Sequence, residues 1–99
     1  MREKEIEKQL VTAVRKRSGI CPKWISPGLS GVPDRLILLP EGRMAFVELK
    51  APCKMLRPLQ RLRKAQLEQL GFRVFVIDSI QQIRGALDEL SEAEGGDAQ

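Results

Sequence analysis

The sequence predicts one domain of mixed α/β class (α+β), a mixed β-sheet flanked by helices. Three observations predict it. Apolar residues recur at helical spacing in three separate stretches, two short apolar runs flank Pro40, Glu41 and Gly42, and a strand, a helix and a strand follow in succession. The flanked runs form an antiparallel hairpin, whereas strand, helix, strand pairs in parallel through a right-handed crossover, so the sheet is mixed. At ninety-nine residues, 42% apolar and 30% charged, the chain holds one hydrophobic core.

The elements follow in order. From Glu3 to about Arg17, Ile6, Leu10, Val11, Ala13 and Val14 form an apolar stripe with Lys4, Lys8, Arg15 and Lys16 mostly outside it, an amphipathic helix that Gly19 is expected to stop. Ile20 to Ser26 alternates as a short strand, and Pro27 to Pro33 is a turn-rich loop in which Gly28 and Gly31 suit sharp bends. Arg35 to Leu39 and Met44 to Leu49 are the hairpin strands, joined by an expected type I turn. A basic stretch runs from Pro52 to Pro58, which suits the first turn of a helix because its missing N–H costs nothing there. Leu59, Leu62, Ala65, Leu67 and Leu70 continue the stripe until Gly71, at the position of a left-handed cap. Arg73 to Ile77 is a buried strand by its β-branched content, and Ser79 is expected to cap a last helix through Ile80, Ile83, Leu87 and Leu90. The predicted order is αβββαβ with a C-terminal helix, in a domain spanning residues 3–90 followed by an acidic, frayed tail, 91–99.

Composition narrows the chemistry. With no histidine and no tyrosine, general-base catalysis by imidazole, His-ligated zinc and phenolic nucleophiles are excluded. Cys21 and Cys53 stand far apart without a CxxC pair, which fits reduced thiols in a reducing, cytoplasmic setting. No stretch approaches the roughly 20 apolar residues of a membrane span, and the charged, periodic first 20 residues predict no secretory signal. Residues 1–87 carry all seventeen Lys and Arg against eight acids, a formal +9, while Asp88, Glu89, Glu92, Glu94 and Asp97 crowd the last twelve. The basic body suits a polyanion.

Candidate site residues come from register. Pairing across the turn puts Leu39 opposite Arg43, Leu38 opposite Met44 and, at the far end, Asp34 opposite Glu48. Two facing carboxylates repel unless they share a cation or a proton. Strand alternation places Phe46, Glu48 and Lys50 on one face, so Asp34, Glu48 and Lys50 converge. At 100° per residue, Glu7 falls within the apolar arc of the first helix, where an acid needs a partner. Glu3 also falls in that arc, at a fraying end, and Glu7 is the favoured acid. Carboxylates gathered beside one lysine make a hard-oxygen site suited to Mg²⁺ or Mn²⁺.

Val32-Pro33-Asp34, followed after the hairpin by Val47-Glu48-Leu49-Lys50, resembles the PD-(D/E)xK nuclease signature. The closer resemblance is to the VRR-NUC group, including small stand-alone phage versions. Ser26-Pro27-Gly28 through Gly31-Val32-Pro33-Asp34-Arg35 is similar to that group's glycine-rich approach to its aspartate. Phe46 to Pro52 is similar to its central strand, Leu56-Arg57-Pro58-Leu59-Gln60 to the start of its helix, and Glu7 to its helix-one acid. The likeness spans roughly residues 3–90.

The resemblance implies a restriction-endonuclease-like core and a DNA endonuclease dependent on Mg²⁺ or Mn²⁺, with no small-molecule cofactor. Asp34 and Glu48 would bind the metal, with the carbonyl of Leu49 as a further ligand and Glu7 completing or orienting the shell. Lys50 would position the attacking water or offset phosphate charge, and Gln60 would hydrogen-bond Lys50 or that water. Lys23, Lys54, Arg57, Arg61, Arg63 and Lys64 are the expected DNA-backbone contacts. A homodimer acting on branched, Holliday-junction-like DNA follows from the same resemblance. An inactive nuclease-fold DNA-binding module and a protein-interaction domain are the alternatives.

Overall fold

The structure, a computed structural model, describes residues 2–93. Its elements are α1 (Glu3–Lys16), β1 (Arg35–Leu39), β2 (Arg43–Leu49), α2 (Pro58–Gln69), β3 (Val74–Ile77) and α3 (Gln81–Ala93). The sheet order is β1-β2-β3, with β1 antiparallel and β3 parallel to the central β2. The predicted hairpin register holds from Leu39 opposite Arg43 to Arg35 opposite Val47 and stops short of the expected pair of Asp34 with Glu48, because the Asp34 amide also donates to Val47 O.

Alternation along the strands sorts residues onto two faces. Ile37 and Leu39 of β1, Ala45, Val47 and Leu49 of β2 and Ile77 of β3 pack with Ile6, Leu10 and Val14 of α1 and Ile83, Ala86, Leu87 and Leu90 of α3. Each of the Val, Leu and Ile side chains contributes about 1.5–3 kcal/mol by leaving water. On the other face, Phe46 packs with Leu67 of α2, Val74, Trp24, Leu36 and Met44. That layer is thinner. Leu67 is the one buried residue of α2, so the stripe read as core is mostly open: Leu59, Leu62 and Leu70 are 44%, 62% and 68% exposed.

Ile20 to Ser26 is not a strand. It lies antiparallel along β1 through two isolated bridges, Ile20 to Leu38 and Lys23 to Arg35. Pro22 accepts from the Leu36 amide through its carbonyl, 2.9 Å, but has no N–H to return, which interrupts the ladder there. Gly19 acts differently from the expected helix stop, since Ser18 takes the left-handed turn (φ 66°). A Cβ on Gly19 would stand 2.4 Å from the Leu38 carbonyl oxygen, so this glycine permits close approach to β1.

Gly71 does occupy a left-handed cap, φ 99°, with Phe72 N–H donating to Leu67 O. The hairpin turn places Glu41 at φ 70°, ψ 23° and Gly42 at φ 75°, left-handed where the expected type I turn has Glu41 at negative φ, and the strand pairs on either side keep their places. At the start of α3 it is Gln82, not the Ser79 side chain, that caps: its Oε1 accepts from the Asp78 and Ser79 amides. Residues 91–93 of the expected tail belong to α3, and 94–99 lie outside the described residues. Asp88 pairs with Arg17 at 2.7 Å and Glu89 pairs with Arg73, so both acids tie α3 to the body. Cys21 is buried, Cys53 exposed, and both are free. Among the described residues no helix is long and apolar enough to cross a membrane.

Candidate active site

Asp34 lies one residue before β1. Its amide donates to Val47 O, 2.9 Å, and its carbonyl accepts from Trp24 N, 2.9 Å. Val47 is also the partner of Arg35, so two consecutive residues oppose one, as in a β-bulge, which re-aims a side chain at the end of a ladder. The Asp34 side chain takes the next amide of β2: Leu49 N–H donates to its Oδ2, 2.8 Å. Such a charge-assisted bond holds the carboxylate in one orientation.

Glu48 is the buried charged residue among the described residues, 4% exposed, on the sheet face that α2 covers. Gln60 explains how α2 reaches it. As the third residue of the helix, Gln60 accepts from the Arg57 amide through Oε1, 2.9 Å, in a capping-box contact. The same amide group turns its Nε2 outward to donate to Glu48 Oε2, 2.7 Å. Gln60 therefore contacts the acid rather than the expected Lys50 or water. Burial first, then the Asp34 charge, push the Glu48 carboxyl up to about 7; Lys50 and Arg57 pull it down and Glu3 pushes it further up. Asp34 and Lys50 thus both act electrostatically on Glu48, although Asp34 does not take the expected place opposite it, since its amide donates to Val47 O and its carboxylate accepts from the Leu49 amide.

Glu7 lies on the same groove as Asp34 and Glu3, with its carboxylate engaged by an arginine. Its Oε2 accepts from Arg35 Nε at 2.7 Å in a pair whose side chains are 26% and 15% exposed, and Arg35 also donates to the Cys21 carbonyl. The partner this acid required is thus an arginine. Because Arg35 follows Asp34 in an extended segment, it points to the opposite face, toward α1. Glu3, one turn earlier, is the helix acid whose charge reaches Glu48. Alternation applied to Arg35 is the sequence signal that pairs it with Glu7 and leaves Glu3 free for the site. Among the described residues no three acid, cysteine or histidine side chains cluster closely enough to hold an ion, so the expected gathering of three carboxylates reduces to Asp34 and Glu48 beside Lys50.

Glu3, Glu7 and Asp34 line a groove of about 270 Å³ with Lys23, Ile25 and Val32. Lys23, Lys54 and Arg57 are exposed. The other expected backbone contacts have partners within the chain: Arg61 donates to Leu56 O, Arg63 to Ser30 O, and Lys64 pairs with Glu68 at 2.9 Å. Gly31 has φ 77°, and a Cβ there would stand 2.8 Å from Leu59 O, which packs the glycine-rich loop against α2.

The family model described as "VRR-NUC domain" matches residues 1–81. A protein of Acyrthosiphon pisum secondary endosymbiont phage 1, named "Putative nuclease p44", is 52% identical over 79 residues, covering 80% of this chain and 85% of its own length. A solved structure described as "VRR_NUC domain" superposes with a TM-score of 0.81 at 29% identity, over 87% of this chain and 94% of that one.

Proposed function

The chain belongs to the VRR-NUC domain family of nucleases, and on that premise we propose that it is a divalent-metal-dependent endonuclease that hydrolyses phosphodiester bonds in branched DNA. The observation that carries the reading is Glu48: a buried carboxyl facing a second acid and pushed up to about 7 by burial and by Asp34. A divalent cation relieves that repulsion, and the donors on offer are hard oxygens, which suits Mg²⁺ or Mn²⁺.

Asp34 and Glu48 would hold the ion, with the Leu49 carbonyl as the further ligand that the family resemblance implies. When bound, the ion polarises the scissile phosphate and lowers the pKa of a bound water toward neutrality. Every other contribution comes from the chain. The Leu49 amide fixes Asp34 Oδ2, and Gln60 fixes Glu48 Oε2, so both carboxylates are oriented before substrate arrives. Lys50, two residues beyond Glu48 on the same face, offsets charge that develops on the phosphate oxygens. Glu3 supplies the helix-one negative charge, while Glu7 acts through Arg35 by holding α1 against β1. Lys23, Lys54 and Arg57 contact the DNA backbone.

The family resemblance also supports a homodimer. The outer side of α2, where Leu59, Leu62 and Leu70 are exposed, offers an apolar surface for a second copy, and sedimentation tests it. Action in the cytoplasm of a bacterial or phage-infected cell fits both free thiols.

The test incubates pure protein with linear, flapped and four-way-junction DNA in Mg²⁺, Mn²⁺ or EDTA, beside Asp34→Asn, Glu48→Gln and Lys50→Ala. Metal-dependent cutting that disappears in the variants is expected. Cutting retained by Glu48→Gln marks a contaminant and overturns the reading, and tight binding without cutting by the wild type leaves a DNA-binding module.

A further inference from the structure

We propose that Ile25, with the half-buried Val32 beside it, packs against an unstacked nucleobase next to the phosphate received by Asp34 and Glu48, and that this contact selects branched DNA. The inference rests on the nuclease reading and specifies how the substrate is held. Ile25 is 79% exposed. Lone apolar side chains on a surface are ordinary; the place of this one is not. It lines the same groove as Asp34, Glu3 and Lys23, so a phosphate at Asp34 brings its neighbouring nucleotide against this wall.

The wall's chemistry limits what it recognises. Ile25 and Val32 carry no side-chain hydrogen-bonding group, so they read no base edge. They pack on base faces, which all four bases possess. In an intact duplex those faces are covered by stacking, and a protein reaches them only where the stack is open or by wedging an apolar side chain into it. Branch points supply open stacks.

The segment is also held in place. Trp24 N–H donates to Asp34 O at 2.9 Å, the Trp24 ring stacks on Phe46 with centroids 4.9 Å apart, and Leu29 N–H closes a turn on Ser26 O at 3.2 Å. Ile25 sits between these two anchors, so little ordering cost remains on binding. Exposed Lys23, two residues away on the groove, supplies the complementary charge for the strand's phosphate.

The test is a cycle between protein and DNA, read by fluorescence anisotropy in Ca²⁺, a hard oxygen-ligated ion that replaces Mg²⁺ at the carboxylates, on DNA with a non-hydrolysable linkage at the branch so that binding is measured without cutting. Wild type, Ile25→Ser and Lys23→Ala are titrated with flapped DNA carrying either normal or abasic nucleotides at the branch. Ile25→Ser is expected to weaken binding of the normal flap about five- to tenfold, with an unchanged salt slope, and to have less than about a twofold effect on the abasic flap. Lys23→Ala is expected to weaken both DNAs and to reduce the salt slope by about one. Ile20→Ser, an exposed isoleucine outside the groove on the same segment, is expected to bind like wild type. Equal binding by Ile25→Ser and wild type, or serine and abasic losses that simply multiply, overturns the proposal. Because Ile25 is so exposed, the urea midpoint should not move, which excludes misfolding. Failure of the wild type to cut any DNA with Mg²⁺ or Mn²⁺ would instead remove the nuclease reading, and the binding cycle would still decide the Ile25 contact.

Discussion

The two faces of β2 do different work. Ala45, Val47 and Leu49 point into the layer that α1 and α3 close, where Ile6, Leu10, Val14 and Leu87 lose all contact with water. Phe46 and Glu48 point the other way, into a layer that α2 covers with one buried residue, Leu67. A dry face tolerates no acid without a partner, and the acids at its margin, Glu7 and Asp88, are paired with Arg35 and Arg17. The thin face admits Glu48, with Gln60 and Asp34 close by. Rigidity on one side thus lets the other carry a destabilising pair of acids.

The division can be broken first at the thin face. Glu48→Gln or Asp34→Asn should lower cleavage by about a thousandfold or more in initial-rate assays while leaving the fold intact. At the dry face the expected cost is stability. Leu10→Ala should reduce the unfolding free energy by about 2–5 kcal/mol in urea titration, with a lower rate only where unfolding removes protein.

A pH comparison sharpens the contrast. Glu48 titrates near 7 in the fold against an ordinary value of 4.5, so the folded state binds this proton more tightly than the unfolded chain does. Metal-free protein therefore loses stability as pH rises from about 4.5 to 7, and the whole penalty is felt above that. Glu48→Gln removes the penalty, so in EDTA at pH 8 the variant should be more stable than wild type by roughly 1–3 kcal/mol, and near pH 4.5 the two should agree. A variant no more stable at pH 8 would mean that Glu48 is not held at a cost. The smallest effect is expected on the outer side of α2, where Leu62→Ser should shift monomer stability by less than about 0.5 kcal/mol by urea titration at low protein concentration.

Much of this was legible because it depended on short-range rules. The turn at Pro40 to Gly42 set the register from Leu39–Arg43 to Arg35–Val47, while the last step, Asp34 opposite Glu48, was lost to a bulge that a turn-based register does not foresee. Alternation separated Glu48 from Val47 and Leu49. What escaped depended on partners remote in sequence. Pro22 looked compatible with a strand until its missing N–H fell opposite a β1 carbonyl. The stripe on α2 had the right period for a core helix, but periodicity says which residues share a side, not whether anything covers it. Glu7 and Glu3 occupy the same arc of α1, and only the position of Arg35 on β1 decides which of them is neutralised. The contact of Gln60 with Glu48 requires the relative placement of α2 and β2, which no local pattern around Gln60 contains.

The central claim is that Asp34 and Glu48 share a divalent ion while Glu7 does not. Calorimetric titration of Mn²⁺ into wild type, Asp34→Asn, Glu48→Gln and Glu7→Gln tests it most directly, without substrate. Binding that is lost in the first two variants and kept within about threefold in Glu7→Gln is the predicted result. Wild-type Mn²⁺ affinity in Asp34→Asn, or its loss in Glu7→Gln with the fold intact, would contradict it.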